Sequence, residues 1–167
     1  MAHVIEQTRQ QFEEAGYTIV DEDLTKPWGA YFVIAEKNIQ EFADEFFSER
    51  QADLQPQIDD GLKLTPKVLV VAPGQRLSWQ YHHRRAELWK VIEGPVGVLL
   101  SDTDVEPAGV PSYAAGDVVS MGQGQRHRLV GLADWGVVAE ILQHTDSKKP
   151  SDEEDIVRVA DDYNRSS

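Results

Sequence analysis

The chain has no cysteine in its 167 residues. Disulfides, thiolate metal ligands and a cysteine nucleophile are therefore excluded, and the absence fits a reducing compartment. Basic residues are scarce as well: 16 Lys and Arg stand against 29 Asp and Glu, for a formal net charge of −13. Nucleic acid and anionic membranes would both be repelled, so neither is expected as a partner. A phosphorylated ligand would require the few cations to be gathered locally. Much of the acid lies toward the ends, as in Asp152, Glu153, Glu154 and Asp155, and reads as solvated surface. Long apolar runs are missing too. Nothing approaches the ~20 residues that span a bilayer. The start, Met1-Ala2-His3-Val4-Ile5-Glu6-Gln7, has no basic segment followed by an apolar one. A cytoplasmic protein is the expectation. There is also no βαβ alternation and no repeat at solenoid periods.

What is present suits one globular domain over 1–167: 41% apolar and 27% charged residues, on a chain long enough to bury a core. An N-terminal piece, 1–23, reads as a helix over about 4–15, stopped by Gly16, and a strand at 17–20. Asp21 to Gly29 reads as a loop containing Pro27, and 30–34 as a second strand. The period then changes. Ile39, Phe42, Phe46 and Phe47 follow helical spacing behind Asn38, which predicts a helical insertion over 38–54. Its Phe face would pack on the outside of the domain, or serve as a lid or a dimer contact. The core region, 64–145, is a series of short apolar runs parted by Gly, Pro and Asp turns, the signature of an antiparallel sandwich or barrel. The segment 146–167 is polar with an apolar knot at Ile156, Val157 and Val159. It is expected to return onto the barrel and end loosely at Ser166 and Ser167. The class is all-β with one or two peripheral helices. Exposed strand edges or the Phe-rich helix would support a homodimer.

Four side chains can each offer a metal a lone pair: Gln80, His82, Glu87 and, from a later strand, His127. Taken singly, each has an ordinary explanation, since a lone His on a strand is usually a hydrogen-bonded structural group. Their spacing argues otherwise. Alternate residues on a strand share a face, so Gln80 and His82 point together. Glu87 can fold back over the same spot, and a barrel interior lets His127 close the set.

The pattern Gly74, Gln80-Tyr81-His82, Glu87, Gly94 resembles the first cupin motif, and Gly116, Gly122-Gln123-Gly124, His127 resembles the second. Gln80 stands where a His is usual, Gly122 where a Pro is usual, and Gly131 where an Asn is usual. Further runs narrow the resemblance to type II phosphomannose isomerase: Lys26-Pro27-Trp28-Gly29-Ala30-Tyr31, Pro73 to Ser78, His82 to Trp89, His127-Arg128-Leu129, Glu140 to Gln143, and Asp155-Ile156-Val157-Arg158 with Asp161-Asp162-Tyr163. The first ~20 residues and the helix at 38–54 depart from that pattern.

The resemblance implies a cupin jelly-roll barrel and one divalent metal per chain held by Gln80, His82, Glu87 and His127. Zinc is the first choice, with Mn, Fe, Ni or Co suited to the same donors. It implies isomerisation of a sugar or sugar phosphate, foremost mannose 6-phosphate and fructose 6-phosphate, through an enediolate and toward GDP-mannose and polysaccharide. A different or unphosphorylated sugar, or a non-catalytic sugar-binding cupin, are the alternatives. The catalytic candidates are Glu140, Lys67 and Arg85, with Lys90 and His83 as further bases; Glu140 could instead orient His127. Arg76, Arg85, Arg128 and Arg158 are the phosphate candidates. Arg128 is expected to point outward on its strand, with a surface ion pair as its alternative. Trp79 and Trp89 are expected to pack the barrel, with a sugar-stacking platform as the alternative; Trp89 shares parity with Glu87, which would let it line the cavity as a substrate-binding candidate.

Overall fold

A computed structural model describes residues 2–165; the end predicted to be loose, Ser166 and Ser167, lies outside them. The strands form two antiparallel sheets. β1 (Ile19–Lys26), β2 (Gly29–Ile34), β3 (Leu64–Val71), β5 (Arg85–Glu93), β8 (Val118–Met121) and β10 (Gly136–His144) make the larger, in the order β1-β2-β3-β10-β5-β8. β4 (Trp79–His82), β6 (Val96–Ser101), β7 (Ser112–Tyr113), β9 (Arg126–Gly131) and β11 (Ile156–Ala160) make the smaller, in the order β11-β4-β9-β6-β7. The sheets face each other as a jelly-roll barrel, the cupin architecture expected. Among the described residues no helix is long and apolar enough to cross a membrane.

The middle of the larger sheet is buried on both faces, so its strand β10 is apolar from Val137 to Leu142 except at Glu140. Along it Val137, Ala139 and Ile141 join a core shared with the helices, while Val138 joins a second core between the sheets, with Leu69, Trp89, Val91 and Leu129. Glu140 has the parity of Val138 and so faces the barrel interior.

The helical layer covers the outer face. It consists of α1 (Ala2–Glu14), α2 (Ile39–Phe46) and α3 (Gln51–Asp59). The single helix predicted over 38–54 is in fact two, broken by Phe47 and a 3₁₀ turn at Ser48–Arg50, with α3 running on past Pro56. The break lets Phe42 and Phe47 both reach the core, each with no exposed surface. Phe42 meets Phe12, Tyr17, Phe46 and Phe47 with ring centroids 4.9 to 6.5 Å apart. The Phe face thus packs internally, with Phe42 and Phe47 against the domain's own core. Burying each such ring stabilises by about 1.5–3 kcal/mol.

The loop predicted over 21–29 is also corrected. β1 runs through Asp21, Glu22 and Asp23 to Lys26 and turns tightly at Pro27 and Trp28. None of its residues is buried, so it lacks the apolar alternation of a half-buried strand; charged edge strands of this kind resist unwanted pairing. The apolar knot near the C-terminus is β11, paired with β4. The glycine at 131 has a physical reason: a Cβ there would lie 2.0 Å from the Ala72 carbonyl oxygen.

Candidate metal centre

Two cross-strand rows face each other across the barrel interior. On the smaller sheet Arg158 pairs with Gln80, and Gln80 with His127. On the larger sheet Lys67 pairs with Glu140, and Glu140 with Trp89. Glu87 lies two residues before Trp89 on the same face of β5. His82 lies two after Gln80 on β4. A tight turn at Gly124, with φ +80°, leads into β9 and delivers His127.

The donor atoms of His82, Glu87 and His127 lie within 4.8 Å of one another, and all three residues are buried. His82 Nε2 is 3.3 Å from Glu87 Oε1, and His127 Nε2 is 3.1 Å from Glu87 Oε2. Each ring is turned by its other nitrogen. His82 Nδ1 donates to the Asp155 carbonyl at 3.2 Å, and His127 Nδ1 donates to the Gln125 carbonyl at 3.1 Å. A carbonyl only accepts, so both inward Nε2 atoms can offer lone pairs. Glu87 Oε2 is buried and receives no hydrogen bond. Inward imidazole nitrogens around a buried carboxylate oxygen without a donor fit a divalent cation. Gln80, at the rim of burial with 9% exposure, stands opposite His127 and lines the same cavity. These residues could hold the metal that the resemblance implies.

Charge is finely arranged here. Burial alone would raise the Glu87 carboxyl, but Arg85, His127 and His82 hold it well below the usual carboxylate range. Arg85 Nε donates to Glu87 Oε1 at 2.8 Å, and its terminal nitrogen reaches His82 Nε2 at 3.0 Å. Burial pushes His82 down. Burial also opposes charge on His127, yet Glu87 wins and raises it. Across the cavity, burial and then the charge of Glu87 push Glu140 up to about 7, against the pull of Lys67 and Arg85. Trp89 Nε1 donates to Glu140 at 2.6 Å.

The cavity volume is about 70 Å³. That is enough for part of a small polar ligand with the rest at the mouth. Gln80, Arg85, Glu87, Trp89, His127, Glu140, Lys67 and Arg158 line it as the sequence suggested. Further liners were not foreseen, among them the polar Lys26, Tyr31, Glu153 and Arg165. Tyr31 was within reach, since it has the parity of Val33, the partner of Lys67. Lys26 was hidden by reading β1 as a loop.

Other candidates lie elsewhere. Arg76 is outside the cavity, in a two-pronged pair with Asp162 at 2.7 and 2.9 Å. Arg128 neither lines the cavity nor faces solvent. It is 1% exposed and donates to the Leu77 and Ala160 carbonyls and to Glu106. Lys90 pairs with Glu49, and His83 sits exposed on the β4–β5 turn against the Tyr81 ring. Glu140 does not orient His127; the Gln125 carbonyl does. Trp79 packs with Leu99 and Val130 away from the cavity, as expected.

Comparisons with known proteins agree with this geometry. The family described as mannose-6-phosphate isomerase C-terminal matches residues 50–161. A mannose-1-phosphate guanylyltransferase of Escherichia coli K12 is 33% identical over 108 residues, which is 65% of this chain and 21% of that protein. The xanthan biosynthesis protein XanB of Xanthomonas campestris is 29% identical over 145 residues, 84% of this chain and 23% of that protein. The alginate biosynthesis protein AlgA of Pseudomonas aeruginosa is 31% identical over 113 residues, 65% of this chain and 21% of that protein. The chain thus spans about a fifth of the length of these relatives. Among solved structures, a mutant of Bacillus subtilis oxalate decarboxylase superposes with a TM-score of 0.55 at 14% identity, over 83% of this chain and 30% of that one. KdgF from Halomonas superposes with a TM-score of 0.50 at 13% identity, over 77% of this chain and 90% of that one. At such identities the likeness is of fold alone. Together with the buried His and Glu donors at the barrel's heart, the match over residues 50–161 makes this chain a member of the mannose-6-phosphate isomerase C-terminal family.

Proposed function

We propose that this site interconverts a phosphorylated aldose and its ketose, with mannose 6-phosphate and fructose 6-phosphate as the first pair. One observation carries the reading. In a chain of net charge −13, Lys26, Lys67, Arg85, Arg158 and Arg165 line a single cavity, with Arg85 also paired to Glu87 and Arg165 to Asp161, and that cavity also holds a buried carboxyl poised near 7. A free sugar has no need of such a gathering of cations; a phosphate does.

Isomerisation removes a proton from the carbon beside a carbonyl and returns it to the neighbouring carbon, so a base with a pKa near the working pH is needed. Glu140 has that property. It takes the proton and gives it back, and no co-reactant is consumed. Lys67, its neighbour across the strand pair, sets a fixed positive charge beside the oxygens that gain charge. Trp89 fixes the carboxyl's direction through its 2.6 Å hydrogen bond. Arg85 and Arg158 are the phosphate ligands in this reading. A divalent metal on Gln80, His82, Glu87 and His127, zinc first, would supply further positive charge to the sugar oxygens. The relatives named for xanthan and alginate biosynthesis support a place before GDP-mannose in polysaccharide supply. The same reading takes the protein to be cytoplasmic and leaves the sheet edges for pairing of two copies.

The test is direct. Metal-loaded protein incubated with mannose 6-phosphate is expected to yield fructose 6-phosphate and to leave free mannose unchanged. Full metal occupancy with no conversion across a panel of hexose phosphates would refute the isomerase and leave a sugar-binding cupin.

A further inference from the structure

We propose that Asp155 is the positioning residue of the metal centre, locking the turn between the ligand strands with its carboxylate and the His82 ring with its carbonyl. The inference rests on the metal reading above. β4 and β5, which carry Gln80, His82 and Glu87, are joined only by His83 and Arg84. Any rocking of that turn shifts His82 against Glu87. Asp155 arrives from the far end of the sequence and is 1% exposed. Its Oδ1 accepts the His83 backbone N–H at 3.0 Å, and its Oδ2 accepts the Arg84 backbone N–H at 3.0 Å. The Ser151 hydroxyl donates to Oδ2 at 2.5 Å, and the Arg84 guanidinium lies 3.6 Å from Oδ1.

The same residue's backbone oxygen receives His82 Nδ1–H at 3.2 Å. One residue therefore grips both the turn and the ring that depends on it. An acceptor on Nδ1 keeps the proton there and the Nε2 lone pair turned toward Glu87. Asp155 also directly precedes β11, which carries Arg158 into the cavity row with Gln80. Metal ligands and a candidate phosphate ligand are thus referenced to a single carboxylate.

The test uses metal-free full-length protein and zinc itself, its dissociation constant read by competition with a chromogenic chelator. Asp155→Asn keeps the volume but replaces one oxygen with a group that cannot accept a backbone N–H. Zinc affinity is expected to fall roughly 10–100-fold, the usual effect of losing a partner that orients a ligand. The ¹⁵N imidazole signals of His82 are expected to change from a single Nδ1–H tautomer to a mixture. Asp162→Asn breaks a different tether of the C-terminal segment, the one to Arg76, and is expected to leave zinc affinity within about twofold of wild type. Should Asp155→Asn fail to fold, Ser151→Ala takes its place: it removes only the hydroxyl bond, and a several-fold loss of affinity is expected. Wild-type affinity in the informative variant, or an equal loss in Asp162→Asn, would overturn the proposal while the metal site stands. Absence of zinc binding in the wild type itself would overturn both.

Discussion

Glu140→Gln should cost activity and raise stability at once, a combination that a purely structural carboxyl would not produce. Glutamine fills the same volume, and its carbonyl can still accept the Trp89 indole N–H that now lies 2.6 Å from Glu140. As a general base, Glu140 is worth about 10²–10⁴ in rate, which corresponds to ~3–5 kcal/mol of barrier. The loss should fall on kcat with KM little changed, because glutamine can still line the cavity. In the wild type the base works only when ionised. With a pKa of about 7, the carboxylate fraction rises from about 10% at pH 6 to about 90% at pH 8. The rate should therefore climb with pH through this range. A bound cation offsets the Glu87 charge and moves the midpoint lower. Stability runs the opposite way. The folded pKa of about 7 lies above the ordinary carboxyl value of 4.5, so folding favours the protonated form. The wild type is penalised increasingly as pH rises from 4.5 to 7, by up to about 3 kcal/mol in metal-free protein at ~1.4 kcal/mol per unit. Metal-free Glu140→Gln should then unfold at higher urea than wild type at pH 8 and at similar urea near pH 4.5. A variant retaining more than about a tenth of wild-type kcat would refute the base assignment. One less stable than wild type at pH 8 would refute the electrostatic account.

Elemental analysis should find about one divalent metal per chain, lost in His82→Ala and His127→Ala; full occupancy in both variants would end the ligand assignment. Arg158→Ala should raise KM for a sugar phosphate by about tenfold or more, the loss of one charge-assisted contact, and leave the zinc dissociation constant unchanged. His144 is pushed down to about 4 by burial, Lys63 and Arg85, and its Nδ1 accepts the Ser151 backbone N–H at 3.0 Å. Its folded pKa lies below the unfolded value of about 6.5, so this stability is complete above that pH and lost as pH falls toward 4. His144→Gln should flatten the pH dependence of the urea midpoint in that window. Phe42→Ala, in the aromatic cluster beneath the helices, should cost about 3–5 kcal/mol in urea unfolding.

The barrel was legible in sequence because its strands pack between layers. Lys67 to Val71 and Leu88 to Ile92 are strands whose apolar periodicity reflects burial against neighbours above and below. β1 was illegible for the converse reason. It is an edge with no buried residue, so burial leaves no mark on its composition. The helical insertion showed its Phe face, but the break at Phe47 arises because two rings seek one core from different directions, which no periodicity records.

The sequence alone named the candidate donors. Strand parity aims Gln80 and His82 one way, Glu87 follows the two-residue turn at His83 and Arg84, and His127 follows the turn at Gly124. Chain chemistry also excluded thiolate sites and made any anion-binding cations scarce. Tertiary structure alone decided which cations line the cavity. Arg76 and Arg128 look like Arg158 in sequence, yet Asp162 and buried carbonyls claim them. It also brought Asp155 to the turn at His83, because β11 pairs with β4 across more than seventy intervening residues. Local preference acts over a few bonds, whereas the partner of a charged side chain is whatever the completed barrel sets beside it.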